Sequence, residues 1–425
     1  MDSYASYSRR HFLAQTATGA SLLLAPTVFG KDKVAPSDRI TMGFIGVGGM
    51  GQNHLRSLKE EPDVQIVALC DVDRNHLNAA YEALGDSKCK TYADFRELLA
   101  RDDIDAVLIA TPDHWHGLIA VAAANAGKHI YCEKPLTNSV AEGRAVCEAV
   151  RANEVVLQTG SHERSNPGPS IARKLINEGR IGQVQTVRIF LPTDEPHLRA
   201  VADLKTAPDP MPVPEGLDYD FWLGHTPVVP YTEKRCHFFW RFHSAYGGGE
   251  MTDRGAHVID LAKMILGRDD TGPVAFRATG KPLQCDFFDA ILDFEFENTY
   301  ADGLRMLGST TGKRGVKFEG SEGSIFVEVH GGALSAEPAS ILADVTVPAA
   351  HHYEPHRREF LEAVKHGTPV VAPAEAGHRT ATICHLNNIA MRLGKEFTWD
   401  PATEQSNNAD VNEMLKPSMR EPWKL

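Results

Sequence analysis

A glycine-rich turn between an apolar segment and a helix is the most specific chemical signal in this chain. The segment ending at Ile45 leads directly into Gly46-Val47-Gly48-Gly49-Met50-Gly51. In this spacing the first glycine permits a sharp turn, the second lets backbone approach phosphate oxygens, and the third lets the helix pack closely on the sheet. The first amide groups of the helix then face the anion. The motif predicts a site for the pyrophosphate of a dinucleotide.

An acidic residue after the next strand supports this interpretation. A helix is predicted over residues 52–60 and an apolar strand over residues 64–70, and Asp71 follows twenty residues beyond Gly51. An acid at this position accepts hydrogen bonds from the ribose hydroxyls of the adenosine. Arg74 offers a charge for a 2′-phosphate, so NAD is the favoured cofactor and NADP the alternative. The competing explanation is an ordinary glycine-rich loop in another doubly wound protein.

Three further segments carry side chains suited to chemistry. Thr111-Pro112-Asp113-His114-Trp115-His116 and Cys132-Glu133-Lys134-Pro135 each follow a predicted strand. Strands of a doubly wound sheet present ligands at their carboxyl ends, so both segments are expected at one cleft. In the third segment, residues 247–260, Asp253 and His257 are four residues apart. If Asp253 opens a helix, both side chains lie on one face, with Asp260 one turn further along.

Each of these side chains also has a purely structural explanation. Lys134 can be a solvated loop lysine, Asp253 the N-cap of a helix, and His257 a satisfied structural histidine.

A group of three histidines, His351, His352 and His356, lacks acidic partners at ligand spacing. A surface strip is therefore expected there, and no metal site is predicted.

The periodicity of the sequence divides the chain into two domains. Over residues 39–160 strand and helix alternate, which is typical of a parallel sheet with helices on both faces. Beyond residue 160 strands predominate, and the alternation in residues 290–296 indicates a sheet with one covered and one polar face. We expect an α/β protein with an N-terminal Rossmann dinucleotide domain (39–160). A C-terminal α+β domain (161–425), with a large, mostly antiparallel open sheet for substrate binding and oligomerisation, is expected to follow.

A proline-rich stretch interrupts the second domain. Residues 192–230 contain eight prolines, too many for a regular element. We expect a long ordered excursion near the substrate cleft.

Composition limits the classes of partner. The 425 residues are 42% apolar, and 44 basic residues against 56 acidic ones give a formal charge of −12. Nucleic acid and anionic membrane surfaces are therefore not expected as partners. The seven cysteines are scattered without a CxxC pair, which indicates buried thiols rather than disulfides or a zinc site.

The N-terminus carries the features of an export signal. Arg9-Arg10-His11-Phe12-Leu13 precedes a weakly apolar run to Phe29. Twin arginines before such a run resemble a twin-arginine signal peptide, expected over residues 1–30 and followed by a linker over residues 31–38. A disordered basic tail or a membrane anchor is the alternative. We therefore expect a periplasmic or otherwise exported protein.

In combination these motifs resemble one family. The glycine motif, Thr111-Pro112 with His116, Glu133-Lys134-Pro135 and the segment from Gly247 to His257, in this order, are similar to the Gfo/Idh/MocA oxidoreductases. Further agreement comes from Gln158-x-Gly160 with Arg164 and Pro167, and from residues 378–390, which resemble exported bacterial members. Arg254 departs from the aromatic residue expected in close relatives. The resemblance also predicts a cis Lys134–Pro135 bond.

The resemblance implies roles for individual residues. Cofactor contacts are implied for Gly46, Gly48, Gly49, Met50, Gly51, Asp71, Arg74, Thr111, Pro112, His116, Glu133 and Lys134. His257 would accept the proton of a secondary hydroxyl, Lys134 would stabilise the developing alkoxide, and Asp253 would hold a sugar hydroxyl or orient the base. Substrate contacts are implied for Arg164, Trp240, Arg241, Asp253 and His257, and Asp260 is a supporting candidate. Trp222, Tyr231 and Trp240 fit a sugar-binding wall and loop packing equally well.

Three functions then compete. The first is an NAD(P)-dependent oxidoreductase that oxidises a secondary hydroxyl of a sugar or polyol. The second is an NAD-dependent glycosidase or lyase that oxidises the sugar transiently and eliminates its leaving group. The third is a cofactor-binding protein without turnover. For an exported protein we expect a tightly held cofactor, since no pool of free NAD exists outside the inner membrane. The open sheet face predicts a homodimer or homotetramer.

Overall fold

The first half of the chain builds a six-stranded parallel sheet. The computed structural model describes residues 38–350 and 353–425. The strands are β1 (Ile40–Ile45), β2 (Val64–Cys70), β3 (Lys90–Tyr92), β4 (Ala106–Ile109), β5 (His129–Cys132) and β6 (Leu157–Thr159). They lie in the order β3-β2-β1-β4-β5-β6, and every neighbouring pair is parallel. The strand order reverses between β1 and β4, so a crevice opens at their carboxyl ends.

Helices on both faces connect these strands. They are α1 (Gly49–Leu58), α2 (Arg74–Leu84), α3 (Phe95–Leu99), α4 (Asp113–Asn125) and α5 (Val140–Ala152). Helix α2 begins where the side chain of Asp73 accepts a hydrogen bond from the backbone N–H of Asn75 (2.8 Å). Helix α5 begins with a capping box in which the Ser139 hydroxyl contacts both the backbone N–H and the carboxylate of Glu142. Local sequence therefore sets where these helices start.

The second half builds a nine-stranded sheet. Its strands are β7 (Val184–Phe190), β8 (Ala275–Lys281), β9 (Asp293–Thr299), β10 (Arg305–Ser309), β11 (Gly315–Gly320), β12 (Ser324–Glu328), β13 (Leu334–Glu337), β14 (Phe397–Asp400) and β15 (Gln405–Ser406). They lie in the order β13-β12-β11-β7-β10-β9-β8-β14-β15. Only the β7–β10 pair is parallel among the described strands of this sheet.

The remaining described helices are α6 (Pro167–Asn177), α7 (Pro196–Ala202), α8 (Tyr219–Leu223), α9 (Glu250–Asp253), α10 (Gly255–Leu266), α11 (Glu354–His366), α12 (Ala374–Leu393) and α13 (Ala409–Glu413), with 3₁₀ turns at His162–Ser165, Phe239–Phe242 and Ala339–Leu342. Residues of α6, α10 and α12 share one apolar core with the nine-stranded sheet. Along β9 this core takes Phe294 and Phe296, while Glu295 points to the opposite, polar face. The outcome is a half-covered sheet, as the period-two pattern predicts.

The two halves interlock. Phe360 and Leu361 of α11 lie in the same apolar core as Phe44 of β1, so a helix from the C-terminal half helps to cover the first sheet. Near the C-terminus Trp423 packs edge-on against Trp115 of α4, with ring centroids 4.8 Å apart. The two domains therefore hold a fixed cleft between them.

The predicted fold class, a Rossmann domain followed by an α+β domain with a mostly antiparallel sheet, is confirmed. Two local expectations are wrong. The proline-rich stretch 192–230, expected to hold no regular element, contains α7 and α8, because Pro196 stands at the first position of α7 and residues 219–223 include no proline. Asp253 does not open a helix; it is the last residue of α9, and α10 starts two residues later. All seven cysteines are free and buried, as predicted. Within residues 38–350 and 353–425 no helix has the length and apolarity needed to cross a membrane.

Candidate active site

The crevice between the domains contains a cavity of about 390 Å³, within the range of small-molecule sites. One end is formed by the glycine-rich turn and the start of α1. Gly46 has φ +82°, and a Cβ there would lie 2.7 Å from the backbone of Ala110 and Thr111. A Cβ on Gly51 would lie 2.1 Å from the Gly46 carbonyl oxygen. Only glycine fits these two positions, and the closely packed turn leaves room for a phosphate at the amide end of α1.

The acid after β2 organises the next part of the cavity. One carboxylate oxygen of Asp71 accepts the backbone N–H of Val47 (2.8 Å) and the other accepts that of Asp73 (2.9 Å). Burial raises the pKa of Asp71, partly offset by these backbone hydrogen bonds. Asp73, His76 and His237 complete this end of the lining. Arg74 is exposed and is not among the lining residues, and its contact with a 2′-phosphate stays a prediction.

Two strand-end turns meet at the other end of the cavity. His116 joins them, since one ring nitrogen lies 2.9 Å from the carbonyl oxygen of Thr111 and the other 2.8 Å from that of Pro135. Thr111, Pro112 and His116 all line the cavity. The Lys134–Pro135 bond is cis, as predicted.

A buried relay holds the second turn. The Nε of Arg357 donates to Nδ1 of His54 (2.9 Å), which leaves Nε2 of His54 to donate to the Glu133 carboxylate (2.7 Å). Burial raises the pKa of Glu133, but the hydrogen bond from His54 and the nearby positive groups, Lys134 among them, together outweigh it, and the net pKa is about 2. Glu133 is therefore an anion that lines the cavity beside Lys134.

The central feature of the cavity is an ion pair between the two domains. Nζ of Lys134 lies 2.6 Å from Oδ1 of Asp253 and 3.1 Å from its carbonyl oxygen. Burial lowers the pKa of Lys134, but the charges of Asp253 and Glu133 outweigh it and the net pKa is raised. The pKa of Asp253 is lowered by Lys134 and Arg241 despite its burial. Both groups are charged at neutral pH.

Arg241 and Trp240 flank this ion pair. Nε of Arg241 lies 3.4 Å from Oδ2 of Asp253, and its guanidinium stacks 4.4 Å from the Trp240 ring centroid. Both side chains line the cavity, as does Trp222, whereas Tyr231 packs in the apolar cluster behind them.

Asp113, at the start of α4, is a cavity residue to which sequence reasoning assigned no role. Its carboxyl is buried, and burial raises its pKa well above the ordinary range, although the charge of Lys134 lowers it in part. The sequence Thr-Pro-Asp could have indicated this residue, since it places Asp113 at the carboxyl end of a strand. In its protonated form Asp113 can donate a hydrogen bond to a ligand oxygen.

His257 lies beside the cavity rather than among its lining residues. Its ring is 6% exposed and packs against His162 and His330, with ring centroids 4.8 and 5.3 Å apart. Burial, followed by the charge of Lys134, lowers its pKa well below the usual value, so the imidazole is neutral at neutral pH. The structure thus brings Lys134 and Asp253 into contact and puts His257 within electrostatic range of them.

Arg164 is not where the resemblance implied. It is buried and donates to Asp260 (2.6 and 2.7 Å), to Asp269 (2.7 and 2.8 Å) and to the carbonyl of Val371 (3.0 Å). Every guanidinium nitrogen is engaged by these contacts, so Arg164 is a structural link and not a substrate ligand. Asp260 belongs to the same link.

Replacing Arg164 with methionine should therefore reduce stability and not chemistry. Removing one partner of a buried ion pair leaves an uncompensated charge, which costs about 3–5 kcal/mol. Urea denaturation of Arg164→Met should show this loss, whereas Arg180→Met, which removes an exposed pair with Asp344, should change stability little. Equal midpoints for the two variants would contradict the structural role of Arg164.

The histidine strip is also corrected in part. His356 is fully buried, and its ring nitrogens lie 2.9 Å from the carbonyl oxygen of Thr159 and 2.8 Å from the hydroxyl of Ser165. It is a core residue because α11 packs on the first sheet. His351 and His352 lie outside the described residues.

Comparison with known proteins agrees with this arrangement. Residues 40–161 match the model of an oxidoreductase family described as an NAD-binding Rossmann fold, and residues 170–425 match that of the same family's C-terminal alpha/beta domain. A solved levoglucosan dehydrogenase in complex with NADH superposes with a TM-score of 0.64 at 22% identity, covering 85% of this chain and 99% of the other.

Curated relatives are similar over shorter regions. Levoglucosan dehydrogenase of Pseudarthrobacter phenanthrenivorans is 30% identical over 235 residues, or 54% of this chain and 51% of that protein. Myo-inositol 2-dehydrogenase of Thermotoga maritima is 28% identical over 228 residues, or 54% and 55%. The chain thus spans about half the length of these two relatives. The scyllo-inositol 2-dehydrogenase (NAD(+)) of Bacillus subtilis is 26% identical over 80% of this chain and 90% of its own length. With both halves matched by its models, the chain belongs to the Gfo/Idh/MocA oxidoreductase family, with an NAD-binding Rossmann domain followed by the family's C-terminal alpha/beta domain.

Proposed function

We propose that the protein is an NAD-dependent oxidoreductase that oxidises a secondary hydroxyl of a sugar or polyol. The observation that carries this proposal is the Lys134–Asp253 ion pair, at the end of a cavity whose other end is a glycine-rich phosphate turn. A fixed positive charge at that point stabilises oxygen as it loses its proton. The names of the relatives, levoglucosan and inositol dehydrogenases, support this class of substrate.

The residues at hand fit the cofactor. Gly46 and Gly51 leave space that any Cβ would fill, and the acceptor oxygens of Asp71 lie beside this turn. The glycine-rich turn would hold the pyrophosphate, Asp71 the adenosine ribose, and the strand-end turns the nicotinamide half. When bound, NAD supplies the acceptor for a hydride.

The chain's own residues supply the proton chemistry. Lys134 binds the reacting oxygen and favours its alkoxide form, and Asp253 and Arg241 orient a neighbouring hydroxyl. We assign the role of proton acceptor to His257. Its lowered pKa keeps the imidazole neutral but makes it a weaker base, and Lys134 offsets this by lowering the pKa of the substrate hydroxyl. The product is a ketone, with the hydride on the cofactor and the proton released through His257.

The adenosine end supports NAD over NADP. Asp71 and Asp73 both line this end, and two carboxylates would repel a 2′-phosphate. We expect Kd for NAD to be at least about tenfold lower than for NADP. Asp71→Ala should weaken NAD binding by roughly 10- to 100-fold, the loss of one or more charge-assisted hydrogen bonds.

Calorimetric titration measures both effects. Asp71→Asn, which keeps an acceptor for Val47, should mainly reduce the preference for NAD, and Asp102→Ala, an exposed acid of the same domain, is the matched control. NADP binding as tight as NAD would refute the role of the carboxylates.

One experiment separates the three candidate functions. The purified protein is incubated with a panel of sugars, polyols and aryl glycosides while cofactor absorbance and released aglycone are followed together. Cofactor reduction without aglycone supports the proposal. Aglycone release with no net reduction supports the glycosidase or lyase, and neither signal, with NAD bound, supports a binding protein.

We further propose that the cofactor is held tightly. Several residues of segment 217–241 line the cavity. The segment also contacts the Rossmann domain through its backbone: Leu217 forms an antiparallel β-bridge with Asp73, and the backbone N–H of Asp218 donates to the carbonyl of Val72 (3.0 Å). The guanidinium of Arg420, near the C-terminus, donates a hydrogen bond to the carbonyl of Gly224 (2.7 Å) and so stabilises the same segment. These contacts favour slow exchange of a ligand beneath the segment.

We also propose export by the twin-arginine route; the signal at Arg9 and Arg10 lies outside the described residues. That route carries folded proteins, which suits an enzyme that takes up NAD in the cytoplasm. Arg9→Lys with Arg10→Lys should leave the enzyme folded and active but confined to the cytoplasmic fraction. Cell fractionation with immunodetection checks this, and periplasmic recovery of the double variant would contradict it.

Finally, we propose a homodimer or homotetramer formed through the polar face of the nine-stranded sheet. Arg188, Arg277, Glu295, Glu297 and Arg305 line a shallow groove there and offer both signs of charge to a second copy. Light scattering coupled to size exclusion would measure the assembly, and a monomer at micromolar concentration would contradict it.

A further inference from the structure

Beside the cavity lies a group of four residues, of which the proposed chemistry uses only His257. We call it the histidine cluster: His162, Glu163, His257 and His330. They come from the 3₁₀ turn after β6, from α10 and from the loop after β12. Sequence spacing could not reveal this cluster because its members are up to 168 residues apart.

Three donor atoms of the cluster lie at the spacing of metal ligands. Oε1 of Glu163 is 3.2 Å from Nε2 of His162 and 3.1 Å from Nδ1 of His330, and all three atoms lie within 4.8 Å of one another. Around a tetrahedral ion with bonds of about 2.0–2.1 Å, neighbouring ligand atoms are about 3.3 Å apart. The site needs only small side-chain shifts to admit such an ion.

The carboxylate is held in place by its surroundings. Glu163 is 2% exposed; its Oε2 accepts from the side chain of Asn166 (3.1 Å) and its Oε1 from the backbone N–H of His330 (3.2 Å). Such outer contacts orient a ligand and tune its affinity for metal.

His330 adopts an unusual backbone conformation. Its φ is +68°, which is rare for a residue with a side chain. This conformation accompanies an imidazole turned onto the carboxylate, and local strain of this kind concentrates at functional sites. The ring is 38% exposed, which leaves one side of the cluster open to solvent.

The cluster also contains an unsatisfied nitrogen. Nδ1 of the buried His257 has no hydrogen-bond partner among the described residues, although its ring packs on both neighbouring imidazoles. Three imidazoles around one carboxylate are more than an ion pair requires.

We propose that His162, Glu163 and His330 bind a divalent transition-metal cation of the zinc type. Two imidazole nitrogens and one carboxylate oxygen form a ligand set that zinc uses where one coordination position stays open. The partly exposed ring of His330 marks the side on which a water or ligand oxygen completes the shell. His162, Glu163 and His330 are not among the residues that line the NAD cavity, although His257 packs on both imidazoles. The metal proposal does not depend on the oxidoreductase proposal.

The test uses the full chain, stripped of metal by a chelator and dialysed. Titration with Co²⁺ should give the visible absorption of a tetrahedral or five-coordinate complex, saturating at one ion per chain, and Zn²⁺ should displace it. His330→Ala and Glu163→Gln should each weaken Co²⁺ binding by at least about 100-fold. His366→Ala removes an exposed histidine at the end of α11 and should leave binding unchanged.

Two controls keep the result interpretable. Near-ultraviolet circular dichroism and NAD titration of each variant report folding and the separate NAD cavity. If Glu163→Gln fails to fold, the Co²⁺ affinity of His330→Ala still tests the proposal, because His330 is at an exposed position. Wild-type protein that binds Co²⁺ no more tightly than His330→Ala would overturn the proposal, as would a saturating ion that both cluster variants retain. Intact NAD binding would show that the oxidoreductase proposal survives that outcome.

Discussion

Lys134→Met should lower turnover by roughly two orders of magnitude or more while NAD affinity stays nearly unchanged. The substitution removes the charge that faces the reacting oxygen but keeps most of the side-chain volume. It also leaves Asp253 without its 2.6 Å partner, so the anion there would oppose alkoxide formation. Single-turnover reduction of the bound cofactor by any active sugar measures the rate, and calorimetry on protein freed of its cofactor measures the affinity for NAD.

The comparison needs a matched lysine. Lys313→Met removes an exposed lysine that pairs with Glu328 and should leave turnover unchanged. His257→Ala should resemble Lys134→Met, because it removes the proton acceptor. If Lys134→Met turned over at the rate of Lys313→Met, the assignment of Lys134 would be wrong.

The purified protein should carry dinucleotide through extended dialysis and yield little steady-state NADH from added NAD. Segment 217–241 covers the adenosine end, where the rings of His237 and His76 lie 5.1 Å apart. Opening this segment must break the hydrogen bond from the backbone N–H of Asp218 to the carbonyl of Val72, next to the one from the N–H of Arg74 to Gly216, before the ligand can leave. Denaturing the dialysed protein and quantifying released dinucleotide gives the occupancy.

A variant links retention to the segment itself. His237 has φ +57°, so His237→Gly keeps the backbone conformation while removing the ring. If the contact between the His237 ring and the dinucleotide contributes about 1.4 kcal/mol, its loss would speed dinucleotide release about tenfold. His366→Gly, in the last turn of α11, is the control: it makes the same substitution away from the cavity and should leave the release rate unchanged. Protein isolated empty, turning over freely with added NAD, would refute tight retention.

The cofactor end of this site was predictable because its signal is local. The glycine spacing and Asp71 belong to a continuous strand–turn–helix–strand unit, so sequence distance and spatial distance agree. The Lys134–Asp253 contact joins residues 119 apart, and only the family resemblance paired them. Spacing alone could not have done so.

Other features depend on contacts that no local pattern carries. The proline-rich stretch has no periodicity. The sequence therefore could not predict which residues after it, such as His237, lie against the adenosine end of the cavity. Arg164 lies in a motif shared with relatives, yet its placement follows from Asp260 and Asp269 on distant elements. Strands β13 and β15 are short and largely polar, so no sequence pattern predicts them, and they form because they pair with neighbouring strands.

The central claim is hydride transfer from a carbinol carbon to NAD held in this cavity. The most direct measurement incubates the protein, with its retained cofactor, with panel sugars and polyols deuterated at their secondary carbinol carbons. Mass spectrometry then examines the dinucleotide released on denaturation. We predict reduced dinucleotide carrying one deuterium, at the nicotinamide C4, together with a ketone product. Unlabelled, oxidised NAD after the substrate has been consumed would contradict the account.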